Sequence, residues 1–88
     1  MKLRIFIQGD APEMRDAKDL ADRVKDSVVD NVDIETLDIE DREGKEVAEV
    51  YDITTVPSFL VTTDDGVFIN SWVGKIPAEF ELKGAIGV

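Results

Sequence analysis

The chain has 88 residues and contains neither cysteine nor histidine. A protein without thiols cannot exchange disulfides or form a thiolate nucleophile. A protein without imidazole lacks the usual general base near neutral pH and a common ligand of zinc. These absences exclude a disulfide oxidoreductase. We expect no enzymatic activity, no catalytic residues, no cofactor and no metal site.

Positive charge and long apolar runs are also scarce. Ten basic residues stand against 20 acidic ones, which gives a net charge of −10. A chain with this balance repels nucleic acid and anionic membranes. No apolar run approaches the roughly 18 residues of a membrane span, and no basic-then-apolar leader is present. We therefore predict an acidic cytoplasmic protein whose partner is neither nucleic acid nor membrane.

Much of the negative charge lies between positions 33 and 49, where only Arg42 and Lys45 are basic. Oxygen clusters can bind calcium, but the segment has no D-x-D-x-D-G loop, and about half of its carboxylates should point outward. We interpret it as a solvated face, with docking of a basic partner surface and calcium binding as alternatives. The acidic residues are Asp33, Glu35, Asp38, Glu40, Asp41, Glu43, Glu46 and Glu49.

Apolar residues make up 43% of the chain, enough for one core, and their spacing predicts seven elements. The predicted strands are 2–8, 32–39, 57–63 and 67–73, and the predicted helices are 10 to about 29, 41–51 and a last one from 77. Helices between the strands predict that the first three strands run parallel, and Asp65-Gly66 in a primed turn makes the last pair antiparallel. The order β-α-β-α-β-β-α predicts one α/β domain over residues 1–88, with a four-stranded mixed sheet and helices on both faces.

Particular residues are expected to cap or bury the helices. Asp10 and Glu13 have the spacing of a capping box, so Asp10 is the predicted N-cap of the first helix. Asp41 is the predicted cap of the second helix, whose first turn Gly44 would weaken. The predicted buried residues are Met14, Ala17, Leu20, Ala21, Val24 and Val28 in the first helix, Val47, Val50 and Tyr51 around the second, and Phe80, Leu82 and Ile86 in the third.

Two stretches resemble the thioredoxin-like superfamily. V-A-E-V-Y-D-I-T-T-V-P-S-F-L-V, residues 47–61, is similar to the thioredoxin segment that carries a cis-proline beside the active site. Residues 65–74 resemble the hairpin of that family and the glycine after its last strand. The resemblance covers nearly the whole chain and implies a thioredoxin-like fold in the short form that glutaredoxins use.

The chain departs from this family at the residues that carry its chemistry. The position of the C-x-x-C motif is occupied by Ala11-Pro12-Glu13-Met14, which has no thiol. Thioredoxins place a buried acid six residues before the first cysteine, and Ile5 stands there in this chain. The resemblance therefore implies a redox-inactive member of the superfamily, because thiol exchange requires a thiolate.

The resemblance also implies where a ligand would bind. In this fold the backbone of the residue before the proline pairs with an extended substrate, so Val56 and a cis Pro57 would form a ledge. Alternatively, Pro57 only begins a strand, Met14 belongs to the core, and Trp72 packs under the last helix rather than facing a partner. The predicted binding residues are Ala11, Pro12, Glu13, Met14, Val56, Pro57 and Trp72.

These inferences lead to one main hypothesis and two alternatives. The main hypothesis is a redox-inactive domain that binds a protein or an extended peptide. Residues 6–17 also resemble the clock protein KaiB, so a signalling protein of that type is the first alternative. The second alternative is an enzyme that uses the thiol of glutathione, although no hydroxyl stands at Ala11 or Met14 to assist it.

Overall fold

The computed structural model describes residues 1–27 and 32–87. The elements follow the predicted order, with boundaries shifted by one or two residues. The predicted end of the first helix near Val29, including Val28 of its buried stripe, lies outside the described residues. The elements are β1 (Lys2–Ile7), α1 (Pro12–Ser27), β2 (Asp33–Asp38), α2 (Arg42–Val50), β3 (Ser58–Thr62), β4 (Phe68–Val73) and α3 (Glu79–Ala85).

The strands form one mixed sheet in the order β2-β1-β3-β4. β1 pairs with β2 in parallel and with β3 in antiparallel orientation, and β4 is antiparallel to β3. The prediction that the first three strands run parallel was therefore wrong for β3, and the physical reason lies in α2.

Helix α2 is too short and too confined to carry the chain back across the sheet. Its nine residues span only about 13 Å. Its buried Ala48 packs with Phe6 and Leu37, near the carboxyl ends of β1 and β2. The chain re-enters the sheet at that same end, where Ser58 pairs with Phe6, so β3 runs opposite to β1.

Each face of the sheet carries its own core cluster. On β1, the side chains of Leu3, Ile5 and Ile7 pack with α1 and α3, whereas Phe6 packs with α2 on the opposite face. This alternation confirms the prediction of helices on both faces. The cluster under α1 and α3 consists of Leu3, Ile5, Ile7, Met14, Ala17, Leu20, Ala21, Val24, Phe59, Val61, Trp72, Leu82 and Ile86.

Two predicted core residues, Val50 and Phe80, are exposed instead. Val50 follows the buried Ala48 by two residues, and Phe80 precedes the buried Leu82 by two. Two residues correspond to about 200° around a helix, so each of these side chains points away from the core. The prediction was wrong because it considered only that these residues are apolar and not on which side of the helix they lie.

The helix starts differ from the capping pattern that the sequence predicted. α1 begins at Pro12 rather than after Asp10. The Asp10 carboxylate instead accepts a hydrogen bond from Lys18 Nζ at 2.5 Å, and this bond lowers the pKa of Asp10. Asp41 does occupy the N-cap position of α2, but its side chain makes no cap hydrogen bond.

Helices α1 and α3 are joined at the surface by Glu79. Its carboxylate lies 3.0 Å from Arg23 Nε of α1 and 3.0 Å from Lys83 Nζ of its own helix. Hydrogen bonds from Lys83 and then Arg23 lower the pKa of Glu79 below its ordinary value. The N-terminus of α3 is capped by a hydrogen bond that the sequence did not predict, because the Ala78 amide donates to Glu81 Oε1 at 3.1 Å.

The β3–β4 hairpin does not contain the predicted primed turn. Such a turn requires positive φ at both central residues, but of Asp64, Asp65 and Gly66 only Gly66 has a positive φ, of 88°. The Gly66 amide donates to the Thr63 carbonyl, and the pairing shifts by one residue between Val61 and Thr62. The hairpin is therefore an ordinary turn followed by a left-handed glycine and a bulge.

The described part of the chain has neither a membrane-spanning helix nor a cluster of metal ligands. None of the helices in residues 1–27 and 32–87 is long and apolar enough to cross a membrane. Within the same residues, no three acidic side chains lie close enough together to hold a metal ion.

Candidate functional site

Four of the seven predicted site residues belong to one core cluster or border it. Ala11, Met14, Val56 and Trp72 all contact the cluster under α1 and α3. Met14 and Trp72 are only 5% and 7% exposed, so their side chains belong to the core. Ala11 and Val56 are half-buried and remain accessible.

The other three predicted site residues are sequence neighbours of these four. Pro12 and Glu13 are exposed in the first turn of α1, and Pro57 is half-buried after Val56. The Val56–Pro57 peptide bond is cis. The accessible part of the candidate site is therefore the start of α1 together with the loop that leads into β3.

The path of that loop is set where α2 ends. Asp52 has a φ of 57°, and the Ile53 amide donates to the Ala48 carbonyl at 2.8 Å. This left-handed residue followed by a six-to-one hydrogen bond is a Schellman motif. Ile53 and Ala48 also share the cluster under α2, so the chain leaves the helix in a fixed direction toward Val56.

Ser58 holds the same loop from its other end. Its hydroxyl donates to the Thr55 carbonyl at 2.5 Å and accepts from the Gly74 amide at 2.9 Å. Gly74 has a φ of 72°, and a Cβ there would lie 2.7 Å from Thr55 Oγ1. The hydroxyl therefore connects the loop before β3 to the residue after β4, with Val56 held between two fixed ends.

We expect Ser58→Ala to lower the free energy of unfolding by about 1–2 kcal/mol, because it removes two part-buried hydrogen bonds of the buried Ser58 hydroxyl. Urea denaturation followed by circular dichroism measures this change. Ser71→Ala is the matched control, because Ser71 is half-buried on β4 and its hydroxyl makes no hydrogen bond among the described residues. Its stability should stay within about 0.5 kcal/mol of the wild type. Equal effects of the two substitutions would contradict the role given to Ser58.

The backbone of Val56 is the most unusual feature of the site. No hydrogen bond of residues 1–27 and 32–87 involves its N–H or its C=O. Both groups lie two residues before the start of β3, and Val56 borders the same core cluster as the half-buried Ala11. A backbone donor and acceptor left open at the end of a strand can pair with an additional extended chain.

The start of α1 offers little to an anion. Pro12 has no N–H, and the Met14 amide already donates to the Ala11 carbonyl at 2.9 Å. The exposed carboxylates of Asp10 and Glu13 add negative charge at this end. The arrangement disfavours a phosphate or a carboxylate as a ligand here.

Comparisons with known proteins identify the fold. No protein-family model matches the sequence, and no curated protein matches it. Thioredoxin 1 from Thermosipho africanus superimposes with a TM-score of 0.66 at 18% identity, over 99% of this chain and 91% of thioredoxin 1. The chain has a thioredoxin-like fold.

Two further structures are similar to this chain. A chain from a structure of the yeast mitochondrial 1-Cys peroxiredoxin thiol-resolving mechanism superimposes with a TM-score of 0.74 at 17% identity, over 99% of this chain and 77% of that one. A designed protein superimposes with a TM-score of 0.73 at 22% identity, over 98% of this chain and 72% of its own. At these identities the similarity concerns the fold alone.

Within this thioredoxin-like chain, sequence reasoning missed the groups that position the site. In the sequence, Ser58 is only a polar residue at the start of a strand. Asp52 is only a polar residue after a helix. Their roles depend on Gly74 and Ala48, which are distant in the chain, and only the folded backbone brings these pairs together.

Proposed function

We propose that this thioredoxin-like chain binds a protein segment or an extended peptide and performs no thiol chemistry. The observation that carries the proposal is the backbone of Val56, which has no hydrogen-bond partner among the described residues. Val56 and the accessible Ala11 both border the core cluster under α1 and α3. The bound segment adds to the loop as a short strand and pairs with the Val56 N–H and C=O.

The residues at the former redox positions support a binding role. Ala11 has no reactive group, and the buried thioether of Met14 cannot ionise or exchange with a disulfide. Ile5, at the position of the thioredoxin acid, is fully buried in the core and cannot accept a proton. The site keeps a surface for an extended chain and contains no group that could attack it.

Charge favours a basic ligand at this surface. The chain carries a net charge of −10, and Glu13 is exposed in the first turn of α1, next to Ala11. A peptide with lysine or arginine beside its extended segment is therefore attracted to the site.

Selection of displayed random peptides on the full chain provides a defined ligand for a test. We expect basic peptides to be enriched, and the selected peptide, titrated into labelled protein, to shift the NMR signals of Ala11, Glu13 and Val56. Glu13→Lys should weaken this peptide about tenfold, the factor that corresponds to about 1.4 kcal/mol for a reversed contact with a cation.

Glu43→Lys is the matched control, because Glu43 is also exposed in the first turn of a helix, α2, but lies on the other face of the sheet. This variant should bind the peptide within about twofold of the wild type, since α2 packs on the opposite face of the sheet from α1 and salt screens the interaction between distant exposed charges. Peptide shifts confined to α2 or β4, or equal weakening by both variants, would overturn the proposed site.

A further inference from the structure

The two edges of the sheet differ in how they are protected. Edge strand β2 carries three acidic residues, Asp33, Glu35 and Asp38. Edge strand β4, with the sequence F-I-N-S-W-V, carries no charge, and the uncharged stretch extends over residues 66–74. Charged side chains are a usual means of preventing edge-to-edge pairing. This protein has them on β2 and lacks them on β4, although 34% of its residues are charged.

The uncharged edge is also apolar and open. Val67, Phe68, Ile69 and Val73 are all exposed, and Phe68 is 56% exposed. We call these four residues the β4 edge patch. The register shift places Phe68 opposite Thr62 and Val73 opposite Ser58, so both side chains lie on the same face of the sheet although five positions separate them.

We infer that the β4 edge patch pairs with the same patch of a second copy of the chain. The two β4 strands run antiparallel about a twofold axis that passes near Ser71. Phe68 and Val73 of both copies then lie on the same face of the joined sheet, and each Phe68 is within reach of Val73 of the other copy, an aromatic and β-branched contact of the kind that stabilises antiparallel strands. The pairing joins two four-stranded sheets into one sheet of eight strands.

Charge selects this edge for self-association. Each copy carries a net charge of −10, so contacts through most of the surface bring like charges together. At the β4 edge no charged side chain has to be buried, and the acidic β2 lies at the opposite edge of the sheet. A twofold contact uses the same uncharged edge of both copies and leaves none free for a third chain. The assembly therefore stops at two copies.

Sedimentation equilibrium of the full chain tests the inference. From about 10 µM to about 1 mM, the range in which a small contact becomes populated, the average mass should rise from one chain to two and no further. Raising the salt concentration from about 0.1 M to about 1 M should tighten the dimer several-fold, because the Debye length falls from about 10 Å to about 3 Å and the repulsion between the copies is screened.

Variants distinguish this contact from non-specific association through exposed apolar residues. Phe68→Lys and, separately, Val73→Lys should give monomers throughout the concentration range while keeping the wild-type circular dichroism spectrum, since both side chains are exposed. Phe80→Lys is the matched control, because Phe80 is an aromatic residue that is 78% exposed on α3 and not part of the β4 edge patch, so this variant should leave the dimer intact. A monomer at the highest concentration, growth beyond two chains, or equal loss of the dimer in Phe80→Lys would each overturn the inference.

Discussion

Gly44→Ala is expected to lower the free energy of unfolding by about 3 kcal/mol, a large part of the roughly 5 kcal/mol that holds a domain of this size. A Cβ at position 44 would overlap the Asp38 carbonyl oxygen and lie 2.8 Å from its carbonyl carbon. Asp38 cannot easily move, because its carboxylate accepts hydrogen bonds from the Gly9 amide at 3.2 Å and from the Glu40 amide at 2.8 Å. Thermal and urea unfolding measure the loss.

Helix propensity alone predicts the opposite sign, which makes this test decisive. Alanine stabilises a helix interior by about 1 kcal/mol relative to glycine. Gly84 in α3 is the matched control, because no atom lies within 4 Å of a Cβ placed there. Gly84→Ala should therefore raise stability by up to about 1 kcal/mol. If Gly44→Ala were as stable as Gly84→Ala, the close contact between α2 and β2 would not exist.

The double variant Ala11→Cys/Met14→Cys is expected to catalyse disulfide exchange, an activity that the natural chain has no thiol to perform. The Met14 amide donates to the Ala11 carbonyl at 2.9 Å, so the two positions lie on one turn, within reach of a disulfide. Position 11 is half-buried at the start of α1, where the helix dipole lowers the pKa of a thiol. We expect reversible oxidation to an intramolecular disulfide and repeated turnover of a small disulfide substrate with glutathione as reductant.

The controls for this variant distinguish the effect of the cysteine spacing from the effect of the site in which the cysteines lie. Ala78→Cys/Glu81→Cys places two thiols at the same spacing at the start of a different helix, α3, and should oxidise but turn over slowly. The single variant Ala11→Cys should form only mixed disulfides, because it has no resolving thiol. Met14→Cys removes apolar volume from the core and should lower stability by about 1–2 kcal/mol. Equal turnover by the two double variants would mean that the site at Ala11 and Val56 contributes nothing to binding a substrate.

Local patterns determined a large part of this protein. The number and order of the elements, the two covered faces of β1 and the core positions of α1 could be predicted, because apolar spacing of two or of three and four residues follows from strand and helix geometry. The absence of cysteine means that the chain itself supplies no thiolate. The predicted site residues Ala11, Met14, Val56 and Trp72 all belong to one core cluster or border it, and the prediction that they bind a partner stays a prediction.

The tertiary structure alone decided which of these residues remain accessible and what holds them. Met14 and Trp72 became core, Val50 and Phe80 became surface, and β3 reversed its direction because α2 packs at one end of the sheet. Gly44 changed from a weak point of a helix to the residue that lets α2 approach Asp38. Each of these outcomes depends on a contact between residues distant in the chain, and spacing along a sequence contains no information about which distant backbone will lie against it.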